Sequence, residues 1–182
     1  WRELQEGETK TRVRFVWDAD RIIAEVSEQG EVLAEYIWGD GPDELLAAKF
    51  GDQVCFVHRD LRGSVRMLTD AAGAVVARYD YDAYGRETRC EGPLAARNPY
   101  RFAGLRRDPT TGLLDARARW YDPATMRFLS RDPAGYLGGL NAFAWCRNDP
   151  INHTDPTGML PHALIGAAVG AVLGAGTSIG LA

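Results

Sequence analysis

The chain has 182 residues, of which 46% are hydrophobic and 25% are charged, and its formal net charge is −4. These proportions are those of an ordinary globular protein, so they exclude wholesale disorder. The negative charge gives no electrostatic reason to expect nucleic-acid binding by this segment, although arginine is frequent in some stretches.

The first half of the chain reads as a series of short strands. Residues 11–38 alternate polar and apolar side chains with the period of two that is typical of half-buried strands, and turn residues interrupt the alternation at regular intervals. Residues 44–49 are compatible with one helical turn, but the neighbouring pattern favours a strand edge or a loop. The predicted strands are 11–17, 21–26, 32–38, 53–60, 64–69 and 74–81.

The turns between these strands also repeat. An aromatic residue, an aspartate, a short turn and an arginine follow one another both at 17–21 and at 81–86. A repeated hairpin unit indicates an array in which neighbouring hairpins bury each other's faces, and not a compact sandwich. The sequence therefore predicts an all-β fold of antiparallel hairpin repeats.

The three cysteines, Cys55, Cys90 and Cys146, show no metal-ligand spacing and cannot all pair. We therefore expect free thiols, each buried or half-buried, and neither a zinc site nor a disulfide framework.

A four-residue pattern, Asp-Pro-x-Gly, occurs twice, at 132–135 and at 155–158, with the two aspartates 23 positions apart. Proline fixes φ and the glycine supplies conformational freedom, so each copy predicts a tight turn. Two carboxylates brought close together cannot both ionise cheaply, so one would hold a proton while the other activates water or polarises a carbonyl. Asp132 and Asp155 are therefore candidates for an aspartic-protease-like centre. Arg131 is the candidate that holds one carboxylate ionised or stabilises an oxyanion.

Other interpretations of these residues stay open. An aspartate in such a turn commonly bonds its own backbone and does nothing more. Asp149 is a rival carboxylate whose place before Pro150 is more typical of a turn, and His153 is close enough in sequence to tune Asp155. No serine or cysteine has a His/Asp constellation around it, which argues against a Ser or Cys protease.

Several longer motifs resemble, in their order along the chain, the conserved core of Rhs/YD-repeat proteins. The resemblance covers about residues 11–159 and is specific, because distinct motifs occur together. The motifs are FVHRDLRGSVRMLTD at 56–70, YDYDAYGR at 79–86, YRFAGL at 100–105, TGLLDARARWYDP at 111–123 and RFLSRDP at 127–133.

The resemblance implies a β-sheet ribbon that spirals into a hollow shell around a C-terminal toxin, and a polypeptide that cleaves itself at a terminal Asp-Pro-x-Gly-Leu motif. Here the last position is Met159, which keeps the size and hydrophobicity of leucine. The bond to be cut is then Met159–Leu160, once per molecule and in cis, with Asp132, Asp155 and Arg131 as the catalytic set. No cofactor and no metal is implied.

Three parts are expected along the chain: a YD-repeat shell segment over 1–131, a turn-rich plug with the cleavage motif over 132–159, and the start of the cargo over 160–182. The last part contains no Asp, Glu, Lys or Arg, and Gly166, Gly170 and Gly174 follow one another at every fourth position, which is typical of closely packed helices. It could be packed inside the shell, be a membrane-active segment that helps the cargo to cross a bilayer, or be a constitutive anchor. Because neither end carries a start or stop signal, we expect the chain to be a fragment of a longer polypeptide.

The predicted function is thus the C-terminal part of an Rhs effector shell that releases its toxin covalently by autoproteolysis after Met159. The alternative is a non-catalytic YD-repeat segment for encapsulation or surface binding, and carbohydrate binding by exposed aromatics is a third option. The partners that the resemblance implies are the chain's own toxin, the rest of the Rhs polypeptide, and secretion-spike or toxin-complex components. It also implies a secreted bacterial effector delivered to target cells, as in type VI secretion and interbacterial competition.

Overall fold

The computed structural model describes the backbone of residues 2–6, 9–159 and 162–163, and the side chains from residue 12 to residue 159. Short strands and turns make up almost all of this part, together with three single-turn 3₁₀ helices at Phe102–Gly104, Gly135–Gly138 and Trp145–Asn148. The predicted antiparallel all-β fold is confirmed.

Nine strands form one antiparallel sheet, in which each strand pairs only with its neighbours in the sequence. All six predicted strands are present, with small shifts at their ends. The strands are β1 Arg2–Glu6, β2 Thr9–Asp18, β3 Arg21–Ser27, β4 Val32–Trp38, β5 Leu45–Phe50, β6 Gln53–Arg59, β7 Val65–Thr69, β8 Val75–Tyr81 and β9 Glu87–Glu91.

Two strands differ from the sequence-based expectation. The sequence of residues 44–49 is compatible with a helical turn and favours a strand edge or a loop. In the structure this segment is a central strand, because Leu45 and Ala48 are buried in the core of the sheet. Strand β9 was not predicted, since its residues are polar and mostly exposed, and only pairing with β8 defines it. Cys90 lies on β9 and is exposed, so the expectation that all three cysteines are buried or half-buried is wrong for Cys90, whereas Cys55 and Cys146 are buried.

One face of the large sheet is packed by fourteen buried residues, all apolar or aromatic. Among them Leu45, Val65 and Leu68 are completely buried, and burial of each such side chain contributes about 1.5–3 kcal/mol relative to exposure. Tyr100, which follows the last strand, covers this face and meets the rings of Tyr36 and Trp38 edge-on at 5.0 and 4.9 Å. The chain after β9 therefore folds back onto the sheet.

The region that follows, residues 106–159, is called here the terminal region. It contains a four-stranded sheet whose hydrophobic core includes Tyr121, Phe128 and Trp145, with the Trp145 ring 4.3 Å from that of Tyr121 and 5.4 Å from that of Phe128. Its strands are β10 Arg106–Arg107, β11 Leu114–Ala116, β12 Arg119–Asp122 and β13 Arg127–Phe128. The core thus joins residues on both sides of position 131, where the sequence suggested a boundary between shell and plug; that three-part division stays a prediction.

A last pair of short strands, β14 His153–Thr154 and β15 His162–Ala163, is antiparallel. In the sequence, the Met159–Leu160 bond lies between these two strands. The expectations for the apolar tail concern residues 160–182, of which only the backbone of His162–Ala163 lies within the described residues. No helix in the described part of the chain has the length and apolarity needed to cross a lipid bilayer.

Candidate functional site

A buried arginine lies at the centre of the candidate site. Nη2 of Arg119, on β12, is 3.0 Å from Oδ2 of Asp132 and 3.3 Å from Oδ2 of Asp155. The three side chains are only 2%, 6% and 1% exposed, respectively. Because both carboxylates reach the same nitrogen, the structure brings the two aspartates of the repeated Asp-Pro-x-Gly pattern together.

Strand alternation explains why Arg119 points inward. On β12, Arg119 and Tyr121 are buried while Trp120 between them is half exposed. The guanidinium lies over the ring of Phe128, with Cζ 3.5 Å from the ring centroid, and it also donates to the carbonyl oxygen of Ala142 at 3.1 Å. Its position is therefore fixed from several sides.

Each aspartate also closes its own turn. Oδ1 of Asp132 accepts the backbone N–H of Ala134 at 2.8 Å, and Oδ1 of Asp155 accepts that of Met159 at 3.1 Å. In both residues one carboxylate oxygen serves the turn and the other meets Arg119. Each aspartate therefore both closes its own turn and takes part in the buried cluster around Arg119.

The charges of the cluster sum to one net negative charge, from two carboxylates and one guanidinium. Burial lowers the pKa of Arg119 from its ordinary value, and the attraction of Asp132 and Asp155 opposes that shift. The guanidinium lies within ion-pair distance of both carboxylates and offsets the repulsion between them.

Arg131 occupies a different place from Arg119. It is exposed, and within the described residues no hydrogen bond or ion pair joins it to Asp132 or Asp155. Adjacency to Asp132 in the sequence therefore does not make Arg131 its partner. Arg131 and Asp132 do line one cavity of about 310 Å³, together with Asn141 and Phe143, and the assignment of Arg131 as catalytic stays a prediction.

The rival residues lie apart from the buried cluster. Asp149 is exposed and accepts hydrogen bonds from the side chain of Asn152, at 3.0 and 3.1 Å, which lower the pKa of Asp149. It is a turn residue at the surface, as its sequence context predicted. Nδ1 of His153 lies 3.4 Å from Oδ2 of Asp149, so this histidine faces Asp149. Of the two residues at the predicted cut, Met159 is half exposed and Leu160 lies outside the described residues.

Sequence reasoning missed Arg119, which is 36 residues from Asp155 along the chain. A signal for it was present: the alternation at 119–122 places an arginine on the same face as Tyr121, where a charged side chain must find a partner. The alternation does not indicate which carboxylates pair with Arg119.

Comparison with known proteins adds independent information. The sequence profile of the Teneurin YD-shell family matches residues 9–142. The chain is 35% identical over 174 residues to double-stranded DNA deaminase toxin A of Burkholderia cenocepacia, covering 84% of this chain and 12% of that protein. It is 32% identical over 151 residues to the tRNA3(Ser)-specific nuclease WapA of Bacillus spizizenii, covering 79% and 6%. To toxin subunit YenC2 of Yersinia entomophaga it is 34% identical over 128 residues, covering 68% and 13%.

Among solved structures, the TcdB2-TccC3 complex matches with a TM-score of 0.69 at 23% identity, over 86% of this chain and 8% of that one. At this identity the match establishes a shared fold. The chain spans only a small part, 6–13%, of the three curated relatives.

Proposed function

The chain belongs to the Teneurin YD-shell family, and from that premise we propose that it closes the end of a hollow β-shell and cuts its own Met159–Leu160 bond. The resemblance of its motifs to Rhs/YD-repeat proteins is confirmed by this family and by the relatives. Two of those relatives are named as toxins or toxin subunits and one as a tRNA nuclease. This supports a C-terminal toxin as the enclosed cargo, within a secreted bacterial effector or a toxin complex.

The observation that carries the cleavage proposal is the hydrogen bond from Met159 to Asp155. The N–H of the residue whose carbonyl would be attacked is 3.1 Å from a carboxylate oxygen that belongs to the buried cluster. Asp132 lies in the same cluster, and Arg119 joins the two. Because all these groups belong to one chain, the reaction has the advantage of an intramolecular step.

Asp132 lines a cavity, and its side chain is 6% exposed against 1% for Asp155, so the proposal assigns the contact with water to Asp132. In the proposed reaction Asp132 takes a proton from a water molecule, and the water oxygen bonds to the carbonyl carbon of Met159. The bond from this carbon to the nitrogen of Leu160 then breaks, and the proton passes to that nitrogen. The products are a carboxylic acid on Met159 and an amine on Leu160, and transfer of the second proton of the water from the acid to the amine gives a carboxylate and an ammonium group. Asp155 holds the Met159 N–H meanwhile, and the proposal assigns the developing oxyanion to Arg131, which lines the cavity beside Asp132.

The test is the intact mass of the chain beside Asp132→Asn and Asp155→Asn variants, with Asp149→Asn as the matched control in a surface turn. We expect the parent and the control to separate under denaturing conditions into two pieces that begin at Trp1 and Leu160. Both cluster variants should stay whole while folded.

The competing function is a non-catalytic shell segment in which the two aspartates only close their turns, which the hydrogen bonds to Ala134 and Met159 favour. A folded parent with the same single mass as all three variants would establish that alternative and overturn autoproteolysis.

A further inference from the structure

The turn between β11 and β12 holds the segment that leads to the predicted cut. Residues 117–119 donate hydrogen bonds, one each and in register, to the three consecutive carbonyl oxygens of residues 156–158. The donors are Nη1 of Arg117 to Pro156 at 2.5 Å, the backbone N–H of Ala118 to Thr157 at 3.3 Å, and Nε of Arg119 to Gly158. Residues 116–119 are called here the cradle.

The cradle also selects the residue at position 158. Gly158 has φ +67°, and a Cβ at this position would overlap the carbonyl oxygen of Ala116. The backbone of the segment approaches the cradle so closely that no side chain fits there. Gly158 is the second residue before the predicted cut, so this contact restricts the sequence that can be presented to the carboxylates.

Arg117 connects the cradle with the large sheet. Its guanidinium makes a two-point ion pair with Asp43, at 2.8 and 3.2 Å, and Nε lies 3.1 Å from Oδ2 of Asp20. Asp20 lies in the turn between β2 and β3, and Asp43 in the turn between β4 and β5. One side chain therefore contacts two turns of the nine-stranded sheet and the segment that would be cut.

We propose that the cradle is the binding subsite for residues 156–158, and that Arg117 is a positioning residue which makes cleavage depend on docking of the terminal region to the sheet. This inference rests on the proposed self-cleavage. A peptide backbone is the ligand, recognised through three carbonyl oxygens and the absence of a side chain at position 158. A planar guanidinium can pair with Asp43 and still donate to Pro156, whereas an ammonium group offers one point charge.

The steric part of the proposal has a matched control inside the chain. Gly135 is the glycine of the other Asp-Pro-x-Gly pattern, with the same φ of +67°, but a Cβ there would meet no atom within 4 Å. The experiment follows the cut in the full chain during cell-free synthesis, by gel and intact mass, for Gly158→Ala and Gly135→Ala. Both variants carry the same backbone strain, so we expect cleavage to slow about 10- to 100-fold more in Gly158→Ala. Equal rates in the two variants would overturn the subsite.

The role of Arg117 is tested by Arg117→Lys and Arg117→Met, with Arg66→Met as control, since Arg66 pairs with Asp80 at 2.5 Å within the sheet. We expect Arg117→Lys to keep most of the parent's thermal stability. Both Arg117→Lys and Arg117→Met should nevertheless be cut at least about tenfold more slowly than the parent. Arg66→Met should cut at the parent's rate. A merely structural ion pair predicts that lysine restores the rate together with the stability, and this result would overturn the positioning role.

Failure of this inference is distinguishable from failure of the proposed function. If the parent is cut, Asp132→Asn stays whole and both Arg117 variants cut at the parent's rate, only the role of Arg117 is lost. If the folded parent is never cut, the self-cleavage and the subsite built on it are both overturned.

Discussion

The large sheet and the terminal region are held together in different ways. The sheet is packed by a core of fourteen buried apolar or aromatic residues, twelve of which lie on its strands. The second core has nine such residues, six of them in the terminal region, and beside them lie a buried arginine and two nearly buried carboxylates. The terminal region also contains more non-glycine residues with positive φ: Arg117, Met126, Cys146, Arg147 and Asn148, against Ala19 and Asp43 in the sheet.

The two regions therefore differ in how the sequence determines their packing. A repeated polar–apolar pattern determines which face of a strand is buried, and many sequences satisfy it. A buried charge needs particular partners in particular positions, because an unpaired one is strongly destabilising. Substitutions should therefore have graded effects in the sheet and large effects at a few positions of the terminal region.

The largest expected effect is that of Arg119→Met, which leaves Asp132 and Asp155 buried without their cation. We expect the free energy of local opening of residues 106–159 to fall by about 3–5 kcal/mol, as measured by amide hydrogen exchange. Arg66→Met removes a half-exposed ion pair from the sheet and should cost about 0–1 kcal/mol. Similar losses in the two variants would remove the distinction between the regions.

A second prediction uses the two buried cysteines as probes, one in each core. Burial raises the pKa of both Cys55, in the sheet, and Cys146, in the terminal region, so neither reacts readily while its core is closed. We expect the exposed Cys90 to be alkylated first. As urea is added, Cys146 should react before Cys55, because the apolar core around Cys146 is the smaller of the two. Residue-resolved mass spectrometry measures the three rates.

In Arg119→Met the alkylation of Cys146 should become about tenfold faster or more, with that of Cys55 unchanged. If Cys55 and Cys146 instead react at one common rate in all conditions, the two regions open as one unit, which contradicts their separate stabilities.

The smallest expected change in stability comes from a substitution in the turn that precedes β5. The backbone N–H of Gly41 donates to Glu44 at 2.8 Å and is the main cause that lowers the pKa of this carboxyl, with Arg59 contributing as well. A folded-state pKa below the unfolded one stabilises the fold above the unfolded pKa, and this contribution is lost as the pH falls through the folded value.

We therefore expect Glu44→Gln to remove about 0.5–1 kcal/mol of stability near neutral pH and to lessen the loss of stability in acid. Urea unfolding at a series of pH values measures this difference. Glu35→Gln, in an exposed pair with Lys49, is the control. An acid profile for Glu44→Gln that matches the parent's would contradict the role of the Gly41 hydrogen bond.

How far the sequence predicts the structure also differs between the two regions. The strands 21–26 and 32–38 could be placed closely because alternation is local and burial on one face enforces it. The repetition of Asp-Pro-x-Gly singled out Asp132 and Asp155, which do meet. Arg119 could not be paired with them from the sequence, because it joins the cluster through tertiary contacts. Adjacency favoured Arg131 instead, but Arg131 is exposed, and the cation that contacts Asp132 is Arg119.

The strict sequential order of the nine strands has a consequence for how the chain is assembled. Each strand pairs with the one before it, so the sheet can grow one hairpin at a time as the polypeptide leaves the ribosome. Arg119 follows the last of these strands and meets its second carboxylate, Asp155, only after 36 further residues have been added. The order of synthesis alone thus delays any event that needs both carboxylates until the sheet is already in place.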